Sequence, residues 1–196
     1  GKPSSEQLSL SDSLDGILNH QYTDDTGTDV RNYGGIDGIS AAKQLFSAVI
    51  GVKPDETLIG GNSSLTLMYF AAQAAMYHGV SDQKTVKFLA PVPGYDRHFA
   101  VCEHLGIELI PVAMNDNGPD MDRVEELVKA DSSIKGMWCV PRFSNPTGVV
   151  YSDDVVRRMA TLAKIAGPNF RVFWDNAYAA HTLASNAPAL ANIMDY

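Results

Sequence analysis

Between residues 57 and 174, short apolar runs take turns with longer segments whose apolar positions fall three and four residues apart. The runs at 57–60, 86–90, 107–112, 136–140 and 170–174 are too uniformly apolar to alternate in and out, which predicts strands buried on both faces. The segments at 64–78, 95–105, 120–130 and 152–166 read as amphipathic helices. In the last two, Met121, Val124, Leu127 and Val128, and then Val155, Met159, Leu162 and Ala166, form the inward stripes. Strand and helix in alternation predict an α/β fold of three αβα layers around a mostly parallel sheet.

Ahead of this region, Ile39, Ala42, Phe46, Val49 and Ile50 share one helical stripe behind Asp37, a candidate cap. "SEQLSLSDSLDGIL" reads as a weak helix, and "QYTDDTGTDVRNYGGIDG" as an extended or looped link. The expected organisation is an N-terminal segment over 1–37 and a large domain over 38–196.

Composition narrows the classes. The chain has 196 residues, 45% hydrophobic and 19% charged, enough for a sizeable core. No apolar run approaches the roughly 20 residues of a membrane-spanning helix, and no basic and apolar leader opens the chain. A cytoplasmic protein with no membrane partner is expected. The net charge of −8 argues against a nucleic-acid partner, which would need clustered Lys and Arg. Cys102 and Cys139 stand far apart in apolar surroundings and read as packing residues. The five histidines show no ligand spacing, so no metal is expected.

In parallel sheets of this kind, ligands sit outside the carboxyl ends of the strands. After the first run comes "GGNSSLT", where Ser63, Ser64 and the free N–H groups of a helix start could cradle a phosphate; it reads equally as a glycine turn with a serine cap. After the second comes "PVPGYDRHF", where Tyr95 either faces a flat ligand or packs at a helix start. After the fourth comes "PRFSNPTG", a rigid turn that aims the Asn145 amide or serves the backbone alone. After the fifth come Asp175 and Tyr178. A carboxylate at a buried strand end needs a partner, and a cationic ring nitrogen would be one.

The ordered set "YGGIDG", "GGNSSLT", "PVPGYDRH", "PRFSNPTG" and "FWDNAY" resembles the fold-type I pyridoxal-phosphate aminotransferases, in particular their aspartate-aminotransferase-like branch. The similarity runs from about Asn32 to His181. It implies pyridoxal 5'-phosphate as cofactor and amino-acid and 2-oxo-acid substrates, plausible donors being aspartate and glutamate. It further implies a homodimer with shared active sites. By the same resemblance Asp175 pairs with the pyridine nitrogen, Tyr178 and Asn145 bond the phenolic oxygen, and Tyr95 stacks on the ring. Ser63, Ser64 and the Leu65 N–H hold the phosphate, and Tyr33 reaches the phosphate of the neighbouring subunit. Gly1–Lys2–Pro3 resembles the segment that approaches the substrate carboxylate, which makes Gly1 a substrate-side residue. Arg142, three residues before Asn145, either receives a dicarboxylate substrate's side chain or makes a structural ion pair.

The family's Schiff-base lysine lies on a later, Ser-rich segment, and none of the eight lysines here matches it. The expectation is therefore the N-terminal part and most of the large domain of an aminotransferase, inactive by itself. Two other readings stand beside it. One is an aminotransferase-like domain that senses cofactor or amino acid within a regulator. The other is an unrelated nucleotide-binding α/β domain, weakened because no G-x-G-x-x-G or G-x-x-x-x-G-K-[ST] follows the first run.

Overall fold

The structure, a computed structural model, describes residues 4, 6, 9, 23–31, 35–78, 85–182 and 184–196. It divides into two compact units, 1–48 with 53–59, and 49–52 with 60–196.

In the first unit, Asp24 organises a tight loop by accepting from the backbone N–H groups of Thr26 and Thr28. Helix α1, Ser40–Ile50, begins there and carries the predicted stripe, yet Ile39, Phe46, Val49 and Ile50 are all more than two-fifths exposed. Asp37 meets the Lys43 ammonium at 2.6 Å. The expected strand at 57–60 is not one. Thr57 is extended and the Ile59 N–H reaches Asp37 O at 2.9 Å, but no neighbouring strand among the described residues pairs with it and Leu58 is 68% exposed. A four-residue run with Leu58 and Ile59 at its centre predicts an extended backbone; it cannot predict whether a partner strand lies alongside.

The second unit is the α/β layer structure. Helix α2, Ser64–Tyr77, precedes strand β1, Lys87–Val92. Then follow α3 (Asp96–His104), β2 (Glu108–Asn115), the two-residue β3 (Gly118–Pro119) and α4 (Met121–Ala130). Strand β4 (Ile134–Cys139), α5 (Asp153–Thr161) and β5 (Arg171–Trp174) complete it. The sheet order is β3-β2-β1-β4-β5. Strands β2, β1, β4 and β5 are parallel, and β3 is an antiparallel edge too short to leave a sequence pattern. The predicted helix over 152–166 is α-helical only to Thr161 and then tightens into a 3-10 turn, Leu162–Lys164, a common way for a last turn to close.

Alternate residues of the central strands divide between two cores. Leu89, Met137 and Cys139 join Val124 and Val128 of α4 and Val156 and Met159 of α5. Phe88 and Trp138 point the other way, to Ala72 of α2 and Val101 and Cys102 of α3. Both faces are thus covered, which is why these strands read as continuous apolar runs. Gly136 pairs with Phe88 in register, and a Cβ there would fall 2.6 Å from the Phe88 ring. The glycine makes room for the aromatic layer. Asp120, Ser152 and Ser63 cap α4, α5 and α2 through their side-chain oxygens. Arg158 of α5 bridges Glu125 and Asp122 of α4 at 2.7 and 2.6 Å. No helix among the described residues is long and apolar enough to cross a membrane.

Candidate active site

From β1 the chain moves first to β2 on one side and then to β4 on the other, so the order reverses between β1 and β4. Crevices at such reversals, outside the carboxyl ends, are where α/β sheets hold ligands. A small crevice of about 10 Å³ is found there, lined by Pro91, Gly94, Tyr95, His98, Trp138 and Ser144, from the end of β1, the start of α3, the end of β4 and the turn after it.

Tyr95 is the N-cap residue of α3, and its ring stands edge-on to His98, centroids 5.1 Å apart. Asn145 begins the turn after β4 through a cis bond to Pro146. That turn is closed by Ser144 N–H on Val149 O at 2.8 Å and by Gly148, whose φ of +75° suits glycine. Asp175 follows β5, and its N–H donates to Cys139 O at 2.8 Å, fixing it against the end of β4. Tyr178 lies three residues on, partly buried, with its ring against His181. At the start of α2, Ser63 Oγ accepts from Thr66 N–H at 3.3 Å, while the N–H groups of Ser64 and Leu65 in the first turn have no intrahelical partner. Tyr33 and Gly1 lie outside the described residues.

The central relationship escaped sequence reasoning. His98 Nε2 donates to Asp175 Oδ2 at 2.9 Å, with the two side chains only 3% and 10% exposed. The imidazole is stacked on Trp138, centroids 4.5 Å apart at 15°, and the Trp138 indole N–H points to Cys102 Sγ at 3.1 Å. Metal-ligand spacing says nothing of this histidine; the signal that finds it is Tyr95-x-x-His98, one helical face beside the crevice.

Arg142 does not meet a carboxylate among the described residues. Its Nη1 donates to Ala179 O and its Nη2 to Pro188 O, and its Nε is buried without a partner. The lysines with described contacts lie elsewhere. Lys87 and Lys135, at the amino ends of β1 and β4, bond Asp131 and Pro168 O.

The chemistry of this donor set suits a phosphorylated pyridine. One Asp175 oxygen is taken by His98, and a carboxylate has a second for a protonated ring nitrogen. Beside it, the Asn176 side-chain oxygen is buried with no hydrogen-bond partner among the described residues, which leaves polar capacity at the site.

A sequence profile of the aspartate amino-transferase family matches residues 1–196. An aspartate aminotransferase of Corynebacterium glutamicum is 46% identical over 202 residues, covering 99% of this chain and 46% of that protein. The solved structure of an aspartate transaminase from the same species superposes with a TM-score of 0.89 at 46% identity, covering 99% of this chain and 47% of that one. A candidate aminotransferase from Corynebacterium diphtheriae superposes at 0.90 with 43% identity, covering 99% and 49%. The chain spans about half the length of the relatives it matches.

Proposed function

This chain belongs to the aspartate amino-transferase family, and from that premise we propose that the protein containing it is a pyridoxal-phosphate-dependent aminotransferase. It moves an amino group between an amino acid, aspartate or glutamate, and a 2-oxo acid, and it works as a homodimer. Residues 1–196 supply the N-terminal part and most of the cofactor-binding large domain, and the lysine amine comes from outside them. The observation that carries this reading is Asp175, held by buried His98 at the carboxyl end of β5.

When bound, pyridoxal phosphate supplies an electron-withdrawing ring that carries the amino group. Asp175 would keep a proton on the ring nitrogen, and His98 would hold the carboxylate in place. Tyr95 would lie against the ring and keep water from it. Asn145 and Tyr178 would donate to the phenolic oxygen. The Ser63 and Ser64 hydroxyls and the Leu65 N–H receive the phosphate, with Tyr33 of the partner subunit reaching it from across the dimer. The substrate-side place of Gly1 belongs to the same reading.

The sensing alternative has less support, because the aspartate aminotransferase of C. glutamicum matches along 99% of this chain. In the full-length protein, added pyridoxal phosphate should produce a visible absorption band that survives dialysis. Asp175→Ala should lower cofactor affinity by roughly tenfold or more, the loss of at least one charged hydrogen bond. An unchanged affinity in that variant overturns the assignment.

A further inference from the structure

The stretch after β5 carries Tyr178 and packs on the core at its far end, through Leu190. Its described residues, 176–182 and 184–190, form no helix or strand, and their backbone bonds are local: Asn176 to Trp174, Ala179 to Asn176, His181 to Tyr178, Thr182 to Ala180, Ala187 to Ala184. Among the described residues, the hydrogen bonds that tie this stretch to elements other than β5 come from Arg142, to Ala179 O at 2.5 Å and Pro188 O at 3.4 Å.

The base of that tie is stiff. Phe143 follows in a left-handed conformation, φ +50°, with its ring 5.1 Å from the guanidinium carbon. Ser144 is buried, and its backbone closes the turn that contains Asn145. A planar guanidinium with several fixed donors can span two carbonyls, whereas the single ammonium of a lysine cannot hold both in one geometry.

We propose that Arg142 is a positioning residue, a strut that sets the Tyr178 turn against the Asn145 turn so that phenol and carboxamide converge on one oxygen of the cofactor. This rests on the cofactor reading above for its purpose, though not for its geometry. It also gives Arg142 a task inside the large domain rather than at the substrate.

The test uses the full-length protein as wild type, Arg142→Lys and Arg142→Met. Without cofactor, both variants should be cleaved faster by protease within 176–188 than wild type. With pyridoxal phosphate, both should bind roughly tenfold more weakly, as expected for one lost charged hydrogen bond. The absorption maximum of the bound cofactor should shift, because it reports bonding at the phenolic oxygen, and lysine should not rescue. Wild-type cleavage, affinity and absorption in Arg142→Lys overturn the strut. So does a defect confined to KM for dicarboxylic amino acids with monocarboxylic ones unaffected, which would make Arg142 a substrate receptor. If wild type fails to bind pyridoxal phosphate, the cofactor reading falls, and the protease comparison still decides the strut. Should Arg142→Met fail to fold, Arg142→Lys carries both comparisons.

Discussion

His98 Nε2 and Asp175 Oδ2 stand 2.9 Å apart, an N–H donor from the first turn of α3 meeting a carboxylate at the end of β5. The imidazole is clamped between Trp138, stacked on its face, and Tyr95, edge-on. It therefore meets Asp175 with one ring nitrogen in a fixed direction. Replacing His98 by Phe keeps the aromatic layer and removes the donor. The variant of the full-length protein should bind pyridoxal phosphate roughly tenfold more weakly, from the loss of one hydrogen bond to a buried charge. Equilibrium titration by absorbance measures it, and wild-type affinity in His98→Phe would show that Asp175 needs no partner.

Gly94, in the turn that presents Tyr95, has no room for a methyl group. A Cβ there would lie 2.3 Å from Pro91 O and 3.0 Å from Phe99 Cζ, and a backbone oxygen cannot turn aside as a side chain can. Gly94→Ala should cost about 1–3 kcal/mol in thermal or urea unfolding. Gly61→Ala, where a Cβ would meet nothing within 4 Å, should change stability by less than about 0.5 kcal/mol.

Both thiols should be inert in the folded protein. Burial pushes Cys139 well above the ordinary thiol range and raises Cys102 too, the latter opposed only by the Trp138 indole N–H. The thiolate is the reactive form. Iodoacetamide at neutral pH should leave the peptides carrying Cys102 and Cys139 unmodified, as read by mass spectrometry, until urea opens the domain.

Asp131 caps the end of α4 and should shape the acid limb of stability. Its carboxyl is held down to about 2, first by the Ser133 hydroxyl and then by the Lys87 ammonium at 2.9 Å. The folded value lies below the roughly 3.9 of an unfolded aspartate, so its contribution is complete above that pH and is lost as pH falls toward 2. Asp131→Asn should flatten the dependence of unfolding midpoint on pH between about 4 and 2. A wild-type slope in the variant would assign that limb to other groups.

Much of the second unit could be read in one dimension. The central strands β1 and β4, buried on both faces, keep few polar positions, and helices with one buried side keep apolar residues three and four apart, so β1, β4, α4 and α5 announce themselves locally; β2 and β5 also read as apolar runs, though Glu108, Asn115 and Arg171 at their ends are exposed. The placement of Asp175 and Asn145 beyond the ends of β5 and β4 was legible for a related reason. A charge or a rigid Asn-Pro turn at the end of an apolar run is anomalous without a ligand or a partner. The failures had the opposite character. Residues 57–60 lack a neighbouring strand among the described residues, β3 is two residues long, and the apolar face of α1 stays exposed, all matters of what lies alongside.

Local pattern, set by side-chain period and by the cost of burying polar groups, determined the alternating α/β layers and the loops at which chemistry would gather. The tertiary structure alone decided which residues meet there. His98 reaches Asp175 across 77 positions, and Arg142 ties down a carbonyl 46 positions on, because strand order and the direction of each side chain bring distant segments together. Hydrogen bonds act over about 3 Å, and separation along the chain says nothing about distance on that scale.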